Sequence, residues 1–158
     1  MTQDSGPTAL PERLKAQWVA QGAKVRPGVT GEALRNFEAV HAVCLPQDMR
    51  DYFLAVDGME EVDTMTGNFF FFWPLHAVKT VSEELGPEAQ AGIIESNQYF
   101  LFADYCLWCW GYAIRLTNNP TGDNSVFCTG SSLDNAGVVA GSFTEFVELY
   151  LADDAAIY

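Results

Sequence analysis

Basic side chains are scarce in this sequence: its 158 residues hold 8 Lys and Arg against 21 Asp and Glu, a formal net charge of −13. That balance argues against nucleic-acid or anionic-membrane partners, which recruit Lys and Arg to neutralise phosphates. Long apolar runs are missing too. The longest, Tyr99 to Ile114, covers 16 residues and is interrupted by Asp104, whereas a membrane-spanning helix needs about 20. Met1 to Pro7 has neither the basic nor the apolar segment of a secretory signal. Four cysteines (Cys44, Cys106, Cys109, Cys128) are few for a disulfide framework in a chain of this length. These absences predict a cytoplasmic protein with reduced thiols.

Recognisable catalytic and cofactor motifs are absent as well. Gly111, Gly122, Gly130, Gly137 and Gly141 do not have the spacing of a phosphate-binding loop, and no Gly-x-Ser-x-Gly occurs. His41 and His76 are the only histidines. His41 lies on the apolar stripe of a helix, and His76 follows Pro74-Leu75 at a strand exit, where a catalytic group could stand. Neither is paired with a recognisable nucleophile. The sequence predicts no enzyme, no cofactor and no metal.

What is present is apolar and aromatic. Hydrophobic residues make up 49%, including 11 Phe, 6 Tyr and 4 Trp, enough for one sizeable core and too much for a disordered chain. Thr8 to Gln21 reads as a helix with Pro11 in its first turn and Gly22 beyond its end. Thr30 is the expected N-cap of a second helix, with Leu34, Phe37, His41 and Cys44 as its stripe. Pro46 opens a third, bearing Met49, Tyr52, Phe53 and Val56, with Gly58 as the residue that ends it. Phe69 to Trp73 reads as a strand buried on both faces. Val78 to Leu85 suggests a short helix before the Gly86-Pro87 break. Tyr99 to Ala103 reads as a strand, Asp104-Tyr105 as its turn, and Leu107 to Leu116 as the next strand. Asn118 to Asp123 is a turn leading to a strand at Ser125 to Thr129, which should pair antiparallel with its predecessor. Ser142 with Glu145 forms a capping box before Phe143, Phe146, Val147, Tyr150 and Leu151, an amphipathic helix.

Three features could carry chemistry. Cys106-Leu107-Trp108-Cys109 is a CxxC, but it falls inside a strand pattern, which places its two cysteines on opposite faces and favours packing over redox work. A zinc site would need further ligands at matching spacing. Asp104 interrupts an aromatic stretch and reads as a turn former that caps local amides, with a burial-raised acid or base as the competing reading.

The third feature is charge placement. Residues 1–35 carry a balance of +2, and the remainder −15. Residues 48–63 contain Asp48, Asp51, Asp57, Glu60, Glu61 and Asp63 against Arg50 alone. That segment is either a solvated face or a negative patch that steers a basic protein partner. A calcium loop would need a different spacing.

In order along the chain, Phe37-Glu38, then Leu45-Pro46-Gln47-Asp48 through Tyr52-Phe53-Leu54 to Asp57-Gly58, then Trp73-Pro74-Leu75 and finally Ser142-Phe143-Thr144-Glu145-Phe146 resemble the SUKH superfamily over residues 30–152. The resemblance implies one α+β domain over 1–158, an antiparallel or mixed sheet flanked by helices, with residues 1–29 as a helical extension. It also implies the superfamily's bacterial role: an immunity protein that binds and neutralises a cognate toxin domain, often a nuclease. The alternative is a regulatory interaction module for an endogenous partner. Asp57, Glu60, Glu61 and Asp63 are the expected partner-binding residues, because a nuclease cleft is basic.

Overall fold

The computed structural model describes residues 8–60, 69–89, 95–130 and 137–158. Helix α1 (Leu10–Ala20) starts with Pro11 in its first turn, where the missing amide costs nothing, and buries Leu14 and Trp18 completely. A short strand β1 (Val25–Pro27) follows. Thr30 caps α2 (Gly31–His41) as expected, its hydroxyl accepting from the Ala33 amide at 3.2 Å. This helix ends at Ala42 in the left-handed region, so Cys44 lies beyond the predicted stripe. Pro46 then introduces α3 (Gln47–Ala55), which buries Met49, Tyr52 and Phe53.

The chain leaves α3 directly into β2 (Val56–Met59), which pairs antiparallel with β1. Gly58 is therefore not the helix terminator the sequence suggested but a strand residue at φ 66°. A Cβ there would meet Phe72 O and Trp73 C and O, each at 2.7 Å. The glycine answers both to that φ and to the passing backbone.

The main sheet has six strands: β3 (Phe70–Phe72), β4 (Lys79–Thr80), β5 (Tyr99–Tyr105), β6 (Trp110–Arg115), β7 (Val126–Gly130) and β8 (Gly137–Ala140). Its order is β3-β5-β6-β7-β8, with β4 beside β3 on the same edge of β5, and every described pairing is antiparallel. A 3-10 turn (Leu75–Ala77) separates β3 from β4, and α4 (Val81–Ala89) follows β4. Thr80 and Glu83 cap α4 reciprocally: Thr80 Oγ1 accepts from the Glu83 amide at 3.1 Å, and Glu83 Oε2 accepts from the Thr80 amide at 2.7 Å. Gly86, at φ 72° and ψ 172°, interrupts α4 where the break was expected.

Helix α5 (Phe143–Leu151) matches its prediction, with Ser142 Oγ accepting from the Glu145 amide at 3.0 Å. The return bond of the box goes one residue further back, from the Gly141 amide to Glu145 Oε2 at 2.6 Å. A last 3-10 turn covers Ala155–Ile157.

Strand alternation divides the interior in two. Phe100, Phe102, Tyr112 and Ile114 face the large core, closed by Trp18, Phe37, Phe53, Phe146 and Tyr150 from α1, α2, α3 and α5. Leu101 and Ala113 face a smaller cluster with Trp73 and Val81, covered by Leu85 of α4. The amino-terminal helix is built into this core: Trp18 Nε1 donates to Tyr150 Oη at 3.1 Å, and Arg13 pairs with Glu148 at 2.7 Å. The architecture is a single α+β domain. Among the described residues, no helix is long and apolar enough to cross a membrane.

Two predicted boundaries move. Asp104 and Tyr105 are not a turn but the end of β5, paired with Gly111 and Trp110. The turn is the Cys106–Cys109 segment, which the sequence assigned to a strand. Phe69, expected inside a buried strand, is 52% exposed at φ 66°.

Candidate functional site

Among the described carboxylates of the acidic segment, Asp57 is buried, Asp48 partly so, and Asp51 and Glu60 are exposed; Glu38 of α2 joins them in bonding across elements. Glu38 Oε1 accepts from the Leu45 amide at 2.9 Å and from Arg50 Nη1 at 2.6 Å, tying α2 to the start of α3. Asp48 Oδ1 accepts from the Met49 amide at 2.8 Å. Its Oδ2 takes both the amide and the hydroxyl of Thr144 at 2.9 Å, which locks α3 to the first turn of α5. Asp51 accepts from Gln47 Nε2 at 2.8 Å.

Asp57 is buried, at 5% exposure. Its Oδ1 accepts from the Leu75 amide at 2.6 Å and its Oδ2 from Arg26 Nε at 3.2 Å. A buried carboxylate is tolerated when such donors surround it. Asp57 thus grips the 3-10 turn rather than facing solvent, which departs from the open carboxylate expected of a docking residue. Glu60 is exposed and its amide donates to Lys24 O at 2.9 Å. Glu61 and Asp63 lie outside the described residues.

These bonds join the pieces of the sequence pattern to one another: Glu38 to Leu45, Asp48 to Thr144, Asp57 to Leu75. The model of the SMI1 / KNR4 family (SUKH-1) matches residues 28–149. The chain belongs to the SUKH-1 family. No curated protein matches it. SUKH domains are known in immunity proteins and act in general as binding domains without catalysis.

Within this SUKH domain, the turn held by Asp57 forms a ridge between two clefts. The first cleft, about 430 Å³, lies between α2 and the turn; Phe37, Val40, His41, Leu75 and Val78 line it, with Asp57 and His76. Val40 is 79% exposed although it is apolar. The second cleft, also about 430 Å³, is lined by Arg26, Met59, Glu60, Phe71 and Ala77, again with His76. His76 is exposed and belongs to both. The two histidines, separate in the sequence, line one cleft. His41 packs its ring 4.4 Å from Phe37 and edge-on to Phe100 at 5.3 Å, which fits its predicted packing role. Among the described residues, no group of three or more His, Cys, Asp or Glu could hold a metal ion.

A third cleft of about 410 Å³, between α1 and α3, has Glu12, Asp48 and Asp51 beside Leu10 and Ala55. It carries the forward part of the acidic segment. The back part, at Glu60, belongs to the His76 ridge.

Asp104 is an interior residue, 6% exposed. Its Oδ2 accepts from Trp73 Nε1 at 2.6 Å and its Oδ1 from the Trp108 amide at 3.3 Å. Desolvation raises its carboxyl above the ordinary range, and the two hydrogen bonds partly oppose this. It does cap a local amide, but from within a strand.

The sequence does not single out Val40 or Arg26 as site residues. Val40 lines the first cleft from α2 and Arg26 the second from β1, and neither position has a local signature. The Thr80-x-x-Glu83 pair is different: a capping box was readable there and would have fixed the start of α4.

Proposed function

We propose that this SUKH-1 protein is an immunity protein of the cytoplasm. It inhibits a cognate toxin domain of nuclease type by protein–protein binding, and is not an enzyme. Family membership gives the binding role. The observation that carries the docking face is the ridge at His76, where an exposed histidine and an exposed Val40 border two clefts of about 430 Å³ each and Glu60 lines the second. Glu61 and Asp63 follow Glu60 directly in the chain and extend its negative charge. Asp57 serves the same face from below by fixing Leu75. A nuclease cleft presents Lys and Arg to phosphates, and the chain's −13 charge complements it.

The test is association kinetics with the toxin domain that co-purifies with the protein from its native host. Glu60→Lys is expected to slow association by roughly tenfold at low salt and to flatten the salt dependence. Val40→Asp should raise the dissociation rate. Unchanged rates for both variants, with Asp51→Lys slowing association instead, would move the docking face to the α1–α3 cleft.

The second reading is a regulatory module for an endogenous partner, since SUKH-1 membership gives a binding domain without naming what it binds. Affinity purification from the native host separates the two. A host regulatory protein in place of a toxin would select the second.

A further inference from the structure

The β5–β6 hairpin closes on four residues that lack the usual turn chemistry. Cys106, Leu107 and Trp108 have φ of 51°, 55° and 70°. The Cys109 amide donates to Tyr105 O at 2.9 Å and to Cys106 O at 3.3 Å. Three consecutive positive φ values make a left-handed turn inside a four-residue loop between the paired Tyr105 and Trp110, a conformation ordinarily left to Gly and Asn. Leu and Trp hold it against the Cβ clash of that region.

Three contacts impose the turn. Asp104 accepts from the Trp108 amide. The Trp108 indole packs on Trp73, with centroids 5.9 Å apart. Gly111 leaves room beneath it, since a Cβ there would lie 3.0 Å from the Trp108 ring and 2.8 Å from Leu101 Cδ2.

The outcome is a placement of sulfur. Cys106 and Cys109 are the first and last residues of the turn, not members of opposite strand faces. Cys109 Sγ donates to Cys106 O at 3.0 Å, which folds the Cys109 side chain back over Cys106. Cys109 is exposed and Cys106 partly so. The other thiols are held differently. Cys44 donates to Asn118 O at 3.5 Å, and burial pushes Cys128 up to about 11.

We propose that Cys106 and Cys109 form a dithiol site which low-molecular-weight disulfides convert into a disulfide across the turn. The Cys109 thiolate attacks one sulfur of the small disulfide, breaking its S–S bond and releasing one thiolate. The Cys106 thiolate then attacks the Cys109 sulfur of the mixed disulfide and expels the second. The protein loses two electrons, the small disulfide is reduced to two thiols, and the two protein protons end on those thiols. Contact with Cys106 raises the Cys109 thiol above its ordinary value, so exchange speeds up as pH rises.

The experiment treats the full chain with excess oxidised glutathione, quenches with acid and alkylates before peptide mapping. The expected product has lost two hydrogens, links Cys106 to Cys109, and leaves Cys44 and Cys128 alkylated. Cys106→Ser should instead hold a lasting glutathione adduct at Cys109. Tryptophan fluorescence should fall on oxidation of the wild type, because the disulfide forms beside Trp108, and stay constant in the Cys106→Ser/Cys109→Ser protein. Four free thiols, a stable adduct on the wild type, or a bridge through Cys44 or Cys128 would each overturn the proposal.

Discussion

Asp57-Gly58 and Cys106–Cys109 are both corners where the backbone passes through positive φ, and they achieve it by opposite means. At the first, glycine takes the strained position because Phe72 and Trp73 run 2.7 Å from where its Cβ would be. The neighbouring carboxylate then clamps the turn it touches. At the second, none of the three positive-φ residues is glycine, and the conformation is imposed from outside by Asp104 and a docked indole. One corner is stable by its own residue choice. The other carries strain that its surroundings offset, and strain of this kind marks positions selected for something besides stability.

Substitution can break this contrast. Gly58→Ala should give the largest loss, roughly 3–4 kcal/mol, from the steric cost of positive φ added to overpacking against backbone that cannot yield. Denaturant melts would register it, and a loss below about 1 kcal/mol would refute the over-determined corner. Asp57→Ala should cost roughly 2–3 kcal/mol, because the buried Leu75 amide loses its acceptor and Arg26 its partner. Asp51→Ala, whose carboxylate is exposed, should stay within about 0.5 kcal/mol.

At the other corner the sign reverses. Leu107 is 66% exposed, so Leu107→Gly should stabilise the protein by up to about 1 kcal/mol through relief of its positive φ. A loss on that substitution would remove strain from the account of the turn.

The smallest effect is in pH. Folding raises the Asp104 carboxyl by desolvation, so its proton is bound more tightly in the folded state. Its contribution is complete below the ordinary carboxylate value and is lost as pH rises through the raised one. Asp104→Asn should flatten that part of the stability–pH curve while leaving the rest unchanged. An identical slope in the variant would show that Asp104 does not titrate there.

The parts legible in the sequence are those governed by local rules. Helix α5, the cap at Thr30 and the break at Gly86 follow from spacing, side-chain capping and one glycine. Strands β1 and β8 are too short to show alternation, and β1 includes a proline, so they exist only because β2 and β7 are there to pair with them. The CxxC turn misled because Leu107, Trp108 and Cys109 are apolar and none is a turn former. The Trp73 contact that helps bend the chain there is distant in sequence.

The acidic segment was visible as a charge count. Which carboxylates face inward depended on Leu75 and Thr144, partners no window contains. The cleft at His76 was illegible for the same reason.

The sheet order sets how the proposed docking ridge can change. Strands β3 and β4 lie end to end along a single edge of β5, Phe72 opposite Ala103 and Lys79 opposite Leu101. The segment between them is therefore a handle riveted at both ends to one central strand, with Asp57 as a third rivet at Leu75. His76 rides exposed on that handle, whereas Ala77 packs against the smaller core cluster. The His76 side chain can be exchanged while strand register and core remain as they are. A lineage of such proteins could follow a changing partner by rewriting this outer surface alone, keeping an unaltered chassis beneath it.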